Sequence, residues 1–104
     1  DSLRPQKLYH LLAGKAKTRK HFGSYKYQGE WGLLDHIIVS GTLLQEHAPL
    51  YTEEAKADVF CLPFLLTRDK KYGGQQPFRT YYGMKYQGGY SDHLPVWAEF
   101  RLLY

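Results

Sequence analysis

The eight residues from Leu33 to Ser40, LLDHIIVS, constrain the fold more than any other stretch of the chain. Ile37, Ile38 and Val39 put β-branched side chains on both sides of an extended backbone, which suits a strand covered on both faces. The pattern predicts an interior strand over 33–40. A carboxylate on such a strand is costly unless it is paired, so Asp35 requires a partner from elsewhere in the chain.

The segment SDHLPVWAEF, residues 91–100, offers one. Over 93–102, Leu94, Val96, Ala98 and Phe100 alternate with Pro95, Trp97, Glu99 and Arg101, which predicts a strand with one mostly apolar face. Ser91, Asp92 and His93 stand in a row at its mouth. With the two strands side by side, Asp35 accepts a hydrogen bond from one ring nitrogen of His93 and leaves the other aimed outward. That arrangement fixes a histidine tautomer and supports its charged form for phosphate or proton chemistry. Asp92 adds a hard oxygen ligand suited to Mg²⁺. A satisfied structural His–Asp pair uses the same residues, so the chemistry alone leaves both readings open.

The rest of the chain gives weaker signals. Leu8, Leu11 and Leu12 at i, i+3 and i+4, with Asp1 and Ser2 as caps, Pro5 in the first turn and Gly14 after it, predict a helix over 3–13. A short strand is expected at Thr18 to Phe22, followed by a long loop. The GK at Gly14–Lys15 is no phosphate loop, because the first glycine and the following Ser or Thr are missing. Residues 41–58 read as a loop with at most one helical turn. VFCLPFLL (59–66) reads as a strand bent at Pro63, TRDKKYGGQQPF (67–78) as a turn-rich connection with a turn of helix begun by Thr67, and RTYYGMKYQGGY (79–90) as loop more than strand. KYQG occurs twice, at 26–29 and 85–88. Two copies of four residues are no repeat architecture; they are two similar turns or two rims of one cleft.

At 104 residues the chain is one small domain or a piece of one, and about 65% of its unfolded surface can be buried. Its 43% hydrophobic and 16% aromatic content is that of a folded protein. Fourteen Lys and Arg against ten Asp and Glu leave +4, a mild excess that favours a phosphate-bearing partner or serves solubility. The single cysteine, Cys61, excludes an internal disulfide and is expected to be a buried thiol beside Phe60 and Leu62. No apolar run approaches the ~20 residues of a membrane span, and no charged-then-apolar leader opens the sequence, so the chain as it stands reads as soluble. It begins at Asp1 rather than Met, which leaves its localisation open.

SDHLPV at 91–96, preceded by LLDHIIVS at 33–40, closely resembles the two C-terminal signatures of the endonuclease/exonuclease/phosphatase family, the deoxyribonuclease I-like metal-dependent phosphoesterases. PFLLTRDKKYGG and PFRTYYGMKYQGGYSDHLPV are similar to a bacterial branch of that family. The resemblance implies an α+β fold: the C-terminal half of a four-layer α/β/β/α sandwich, mainly one mixed or antiparallel sheet with one helix, over a single fragment 1–104. It implies that His93 contacts the scissile phosphate, that Asp35 orients it, and that Asp92 is a metal or water ligand. Ser91 steadies the turn and His36 is a packing residue. Arg79, Tyr90 and Ser91 are the expected substrate contacts.

The implied activity is Mg²⁺- or Mn²⁺-dependent hydrolysis of a phosphate ester in a nucleic acid or a phospholipid headgroup. The family's metal-binding Glu, its N-terminal Asn and its Gly-Asp-Phe-Asn motif have no counterpart here. An isolated chain of this kind is therefore expected to be inactive. It is also expected to need either the N-terminal half of the domain or a homodimer partner to cover inner-face residues such as Ile37, Val39 and Val96. The competing reading is a non-catalytic module in which the Tyr and Trp loops at 25–31 and 81–90, with Lys26, Arg79 and Lys85, bind nucleic acid or carbohydrate and His93 is structural.

Overall fold

Short strands that pair only two by two make up most of the molecule. The computed structural model describes residues 3–103. In chain order the elements are β1 (Leu8–His10), α1 (Ala13–Thr18), β2 (Tyr25–Tyr27), β3 (Glu30–Gly32), β4 (Ile38–Ser40), β5 (Leu50–Tyr51), β6 (Ala57–Val59), β7 (Leu66–Arg68), β8 (Gln75–Pro77), β9 (Tyr81–Tyr82), β10 (Lys85–Tyr86), β11 (Val96–Ala98) and β12 (Arg101–Leu102). Turns of 3₁₀-helix lie at Gly41–Leu44, Glu54–Lys56 and Pro63–Leu65. The architecture is α+β with α1 as the single α-helix among the described residues.

The strands form six antiparallel pairs, where one larger sheet was expected. Three are hairpins, β2–β3, β7–β8 and β9–β10. The other three, β1–β4, β6–β11 and β5–β12, close long intervals of chain. In β1–β4, Tyr9 stands opposite Val39, and in β6–β11, Val59 stands opposite Val96 and Ala57 opposite Ala98. These inward positions feed a core of Leu11, Leu12, Val39 and Ala57, with Phe22, Leu33, Ile37, Leu43, Leu44, Val96 and Ala98 packed around it. Val39 is thus buried, whereas Ile37 and Val96 are half-buried.

Several local expectations give way to this tertiary pairing. Residues 8–10 are a strand, not part of a helix over 3–13, because β1 has β4 to bond to. Leu11 and Leu12, beyond the end of β1, are fully buried while Leu8 is 73% exposed. Asp1 and Ser2 lie outside the described residues. The helix begins where the expected one ended and takes in Gly14, where a Cβ would sit 3.3 Å from a Glu54 carboxylate oxygen. Residues 18–22 form no strand. Only 38–40 of the 33–40 run join a ladder, and it has a single neighbour, so this is no interior strand. Pro63 starts a 3₁₀ turn, splitting the expected strand into β6 and β7. Thr67 lies in β7 and starts no helix, and Cys61 is exposed.

Both KYQG copies belong to hairpins that the sequence presents as loops. In the first, Gln28 and Gly29 have φ of 48° and 85° and fill the two-residue turn between the paired Tyr27 and Glu30. Positive φ at both turn positions is the type I′ geometry whose twist matches the strands. In the second, Lys85 and Tyr86 follow the turn Gly83–Met84, with Gly83 at φ 59°.

One buried ion pair ties the β2–β3 hairpin to the β7–β8 hairpin. Lys26 Nζ lies 2.8 Å from Asp69 Oδ2 with both side chains buried. The ammonium also donates to the carbonyls of Gly73 (2.8 Å) and Gln75 (2.9 Å), using all three of its protons. Asp69 Oδ1 accepts from the backbone N–H groups of Lys71 and Tyr72, at 3.1 and 2.9 Å. The β7–β8 turn is thereby wound around one carboxylate and clamped to β2. The hydrogen bond from Lys26, followed by that from the Tyr72 N–H, holds the Asp69 carboxyl below its usual range despite the opposing effect of burial.

With a radius of gyration of 16.5 Å and dimensions of 49 × 29 × 20 Å, the chain is more extended than the roughly 13 Å expected of a compact domain of ~100 residues. Apolar side chains including Leu34, Ile38, Phe64 and Met84 are exposed. The fold therefore leans on the polar clamp as well as on its core. Asp69→Asn, which leaves the Lys26 ammonium without a counter-charge, is expected to lower the melting temperature by on the order of 10 °C. Glu30→Gln at an exposed strand position should leave it unchanged, both read by circular dichroism.

Candidate active site

Ser24 is the hub on which the site is built. It is fully buried. Its N–H donates to the Gly32 carbonyl at 3.0 Å, its carbonyl accepts from the Leu94 N–H at 2.7 Å, and its Oγ accepts from the Asp35 N–H at 3.3 Å. Gly23 precedes it because no side chain fits: a Cβ there would lie 2.5 Å from the Gly32 carbonyl oxygen. Through these bonds the mouth of the 93–102 segment is laid beside β2, with Tyr25 and His93 bridged and their ring centroids 5.0 Å apart.

The result is the pairing expected from the sequence. His93 Nδ1 lies 2.7 Å from Asp35 Oδ2, with the two side chains 36% and 35% exposed. Asp35 is therefore accessible at the lip of the structure rather than sealed in a strand interior. Partial burial acts to raise its pKa, but hydrogen bonds from Ser24 and His93 and the charges of His93 and His36 outweigh it, and the carboxyl sits below its usual value. With the folded value depressed, its stabilising contribution is present above the ordinary 3.8 and lost as the pH falls through the lowered value. Since Nδ1 faces the carboxylate, Nε2 is the ring nitrogen left for a substrate.

The turn carrying His93 is braced from two sides. The Ser91 hydroxyl accepts from the His93 N–H at 3.0 Å, the turn-steadying contact expected of it. Behind it, Gly89, Tyr90 and Ser91 donate to the carbonyls of Arg79 and Phe78 at 3.1, 2.6 and 3.3 Å. A Cβ on Gly89 would lie 2.1 Å from the Phe78 carbonyl oxygen, so this approach needs glycine.

A cleft of about 700 Å³ opens alongside, bounded by the β2–β3 hairpin, the β7–β8 turn and the 79–87 segment. Lys26, Gln28 and Gly29 of one KYQG and Lys85 and Gln87 of the other line it, so the two copies rim one cleft. Tyr25 belongs both to this lining and to the His93 contact. Of the expected substrate contacts, Arg79 lines the cleft. Tyr90 does not; it packs edge-on against Phe64 and Phe78, at 5.6 and 6.4 Å between centroids. Asp92 is exposed. Among the described residues no three His, Cys, Asp or Glu side chains converge as a metal site. The donor set therefore does not by itself fit the divalent cation that the resemblance implies.

Sequence reasoning passed over Ser24 and Asp69, and nothing in FGSYK or TRDKK marks them out. It also took His36 for packing, whereas His36 is exposed and its Nδ1 lies 2.5 Å from His10 Nε2. The Leu12 N–H donates to His10 Nδ1 at 3.1 Å, so the proton of a neutral His10 resides on Nε2 and points at His36.

Over residues 1–102 the chain matches the model of the Endonuclease/Exonuclease/phosphatase family. It belongs to that family, a group of hydrolase type. Nothing among the curated proteins matches the chain, and nothing among the solved structures does. No helix among the described residues is long and apolar enough to cross a membrane.

The His10–His36 contact gives a pH dependence of definite sign. Burial and the neighbouring His36 charge lower the His10 pKa from 6.5. The folded state thus binds fewer protons than the unfolded one, and this contribution to stability is full above about pH 6.5 and fades as the pH falls. Melting temperatures measured from pH 7.5 to 5 should decline, and His10→Ala should reduce that slope.

Proposed function

We propose that the protein hydrolyses phosphate esters, with His93 contacting the scissile phosphoryl group, Asp35 positioning the ring, and the principal metal-binding carboxylates supplied from outside these 104 residues. One observation carries the reading: the 2.7 Å His93–Asp35 bond beside a cleft that holds Arg79 and Lys85, in a chain of this family. The carboxylate anchors Nδ1, and Nε2 donates to a non-bridging phosphoryl oxygen as charge builds there. Water attacks phosphorus in line with the leaving ester oxygen. A new P–O bond forms as the ester P–O bond breaks, the attacking water gives up a proton and the leaving oxygen departs as the alcohol, and no covalent enzyme intermediate is required.

In this assignment Ser91 holds the turn, Arg79 meets substrate phosphate, Tyr90 backs the turn from its Phe64–Phe78 contacts, and Asp92 serves water or metal in the assembled site. The exposed apolar side chains and extended shape support a larger domain in which the two parts of the site meet. The fold expected for the whole is the four-layer sandwich, with this chain its C-terminal half.

Protein expressed from the complete reading frame, given a chromogenic phosphodiester and Mg²⁺, should lose about 10²–10⁴-fold in kcat on His93→Ala. Its melting temperature should hardly move, because the ring stands at a half-exposed lip. Asp35→Ala should cost activity and stability together. Undiminished turnover in His93→Ala would overturn the assignment, and equal loss of folding in both variants would make the pair structural. The 104-residue chain alone should bind a hydrophobic dye and turn over no substrate.

A further inference from the structure

The cleft lining carries Lys26, Arg68, Lys70, Lys71, Arg79 and Lys85 against Asp69 as its one acid. Six positive charges and one negative leave +5 there, whereas the whole chain has fourteen and ten, or +4. The remainder of the molecule is therefore left with eight positive and nine negative groups, a net −1. The mild basicity of the sequence is not spread over its surface; it is gathered in this one concavity. Asp69 is already committed to Lys26 at 2.8 Å, so the other five cations face the cleft without a carboxylate in its lining.

Aromatic rings stand among these charges. Tyr25, Tyr27, Tyr72 and Tyr82 also line the cleft. Tyr27 and Tyr82 are 62% and 54% exposed, so their rings are accessible from the cleft. Arg79 lies 5.2 Å from the centroid of the Tyr82 ring, and Lys71 lies 5.3 Å from that of Tyr72. Arg79 Nε is buried without a hydrogen-bond partner among the described residues.

We propose that this cleft binds a single-stranded polynucleotide, whose phosphates meet Arg68, Lys70, Lys71, Arg79 and Lys85 while its bases stack on Tyr27 and Tyr82. This rests on the phosphoesterase reading and names its substrate class. Cations alone would suit any polyanion or an anionic lipid surface. Exposed rings alternating with cations select a ligand that alternates phosphate with a flat π-system, and base-paired duplex hides those faces. Tyr25, shared between the cleft lining and His93, connects the bound strand to the reacting end.

Fluorescence anisotropy with a labelled 20-nucleotide oligo(dT), without divalent metal, tests binding apart from hydrolysis. The protein should bind it, with affinity falling as salt rises at a log–log slope of about −0.7 per phosphate contacted. Tyr27→Ala and Tyr82→Ala should each weaken binding by roughly tenfold; both rings are exposed, so the variants should fold. Lys71→Ala should weaken binding and flatten the salt slope, whereas Lys17→Ala, an equal charge change on α1, should do neither. No binding at low salt, or binding indifferent to both tyrosines, would overturn the proposal. So would duplex bound as tightly as single strand, or sedimentation with phosphatidylserine vesicles through the same lysines in place of oligonucleotide binding. Hydrolysis of the small chromogenic diester that persisted with any of these failures would leave the phosphoesterase assignment standing and remove only the polynucleotide.

Discussion

The Lys26–Asp69 pair is the constraint from which the useful part of this structure follows. A two-residue or three-residue strand pair has little stability of its own, and the β2–β3 and β7–β8 hairpins are both of that size. Burying one ammonium and one carboxylate between them would be ruinous if either were left short of partners. Here the ammonium has three acceptors and the carboxylate has two backbone donors besides the ion pair. Full satisfaction makes the geometry specific, because any other packing of the two hairpins would strand a charge. The cleft is the space left between elements held in that way.

The same strand then passes its order to the histidine. β2 begins at Tyr25, one residue after the buried Ser24 that holds both Asp35 and Leu94. The clamp at Lys26 and the hub at Ser24 are thus two residues apart on one short segment. Cleft and His93–Asp35 pair are coupled by the shortest possible piece of chain.

What could be read from the sequence divides along a physical line. The Asp35–His93 pairing was legible from the two segments that carry it, but the reason given for it was not: Asp35 lies outside any ladder and is 35% exposed, so burial on an interior strand is not what demands its partner. Strand 96–98 was legible because its alternation extends over a full segment. The hairpins at 25–32 and 81–86 were not, since strands of two or three residues are too short to show a period. Their turns, Gln28–Gly29 and Gly83–Met84, also lack the Asn-Gly or Asp-Gly signal. The helix over 3–13 failed because Leu8, Leu11 and Leu12 fit a helical face, yet the ladder from Tyr9 to Val39 offered the backbone a better use. Lys26 and Asp69 were invisible for the opposite reason: in a stretch dense with Lys, Arg and Tyr, nothing local distinguishes the one cation and the one acid that go inside.

A chain with so little apolar core must spend its polar groups on structure, and this shapes what remains for function. Lys26 is committed in the clamp, Ser24 in the hub and Ser91 in the turn, so none of the three is free to act on a substrate. The groups still free are those at the surface of the cleft and its lip: Nε2 of His93, the carboxylate of Asp92, and the cations from Arg68 to Lys85. Of these, Arg79 and Lys85 line the cleft, whereas Asp92 is exposed. The division between polar groups used up inside and solvent-facing ones at the rim is therefore what the phosphoesterase proposal rests on beside the family match.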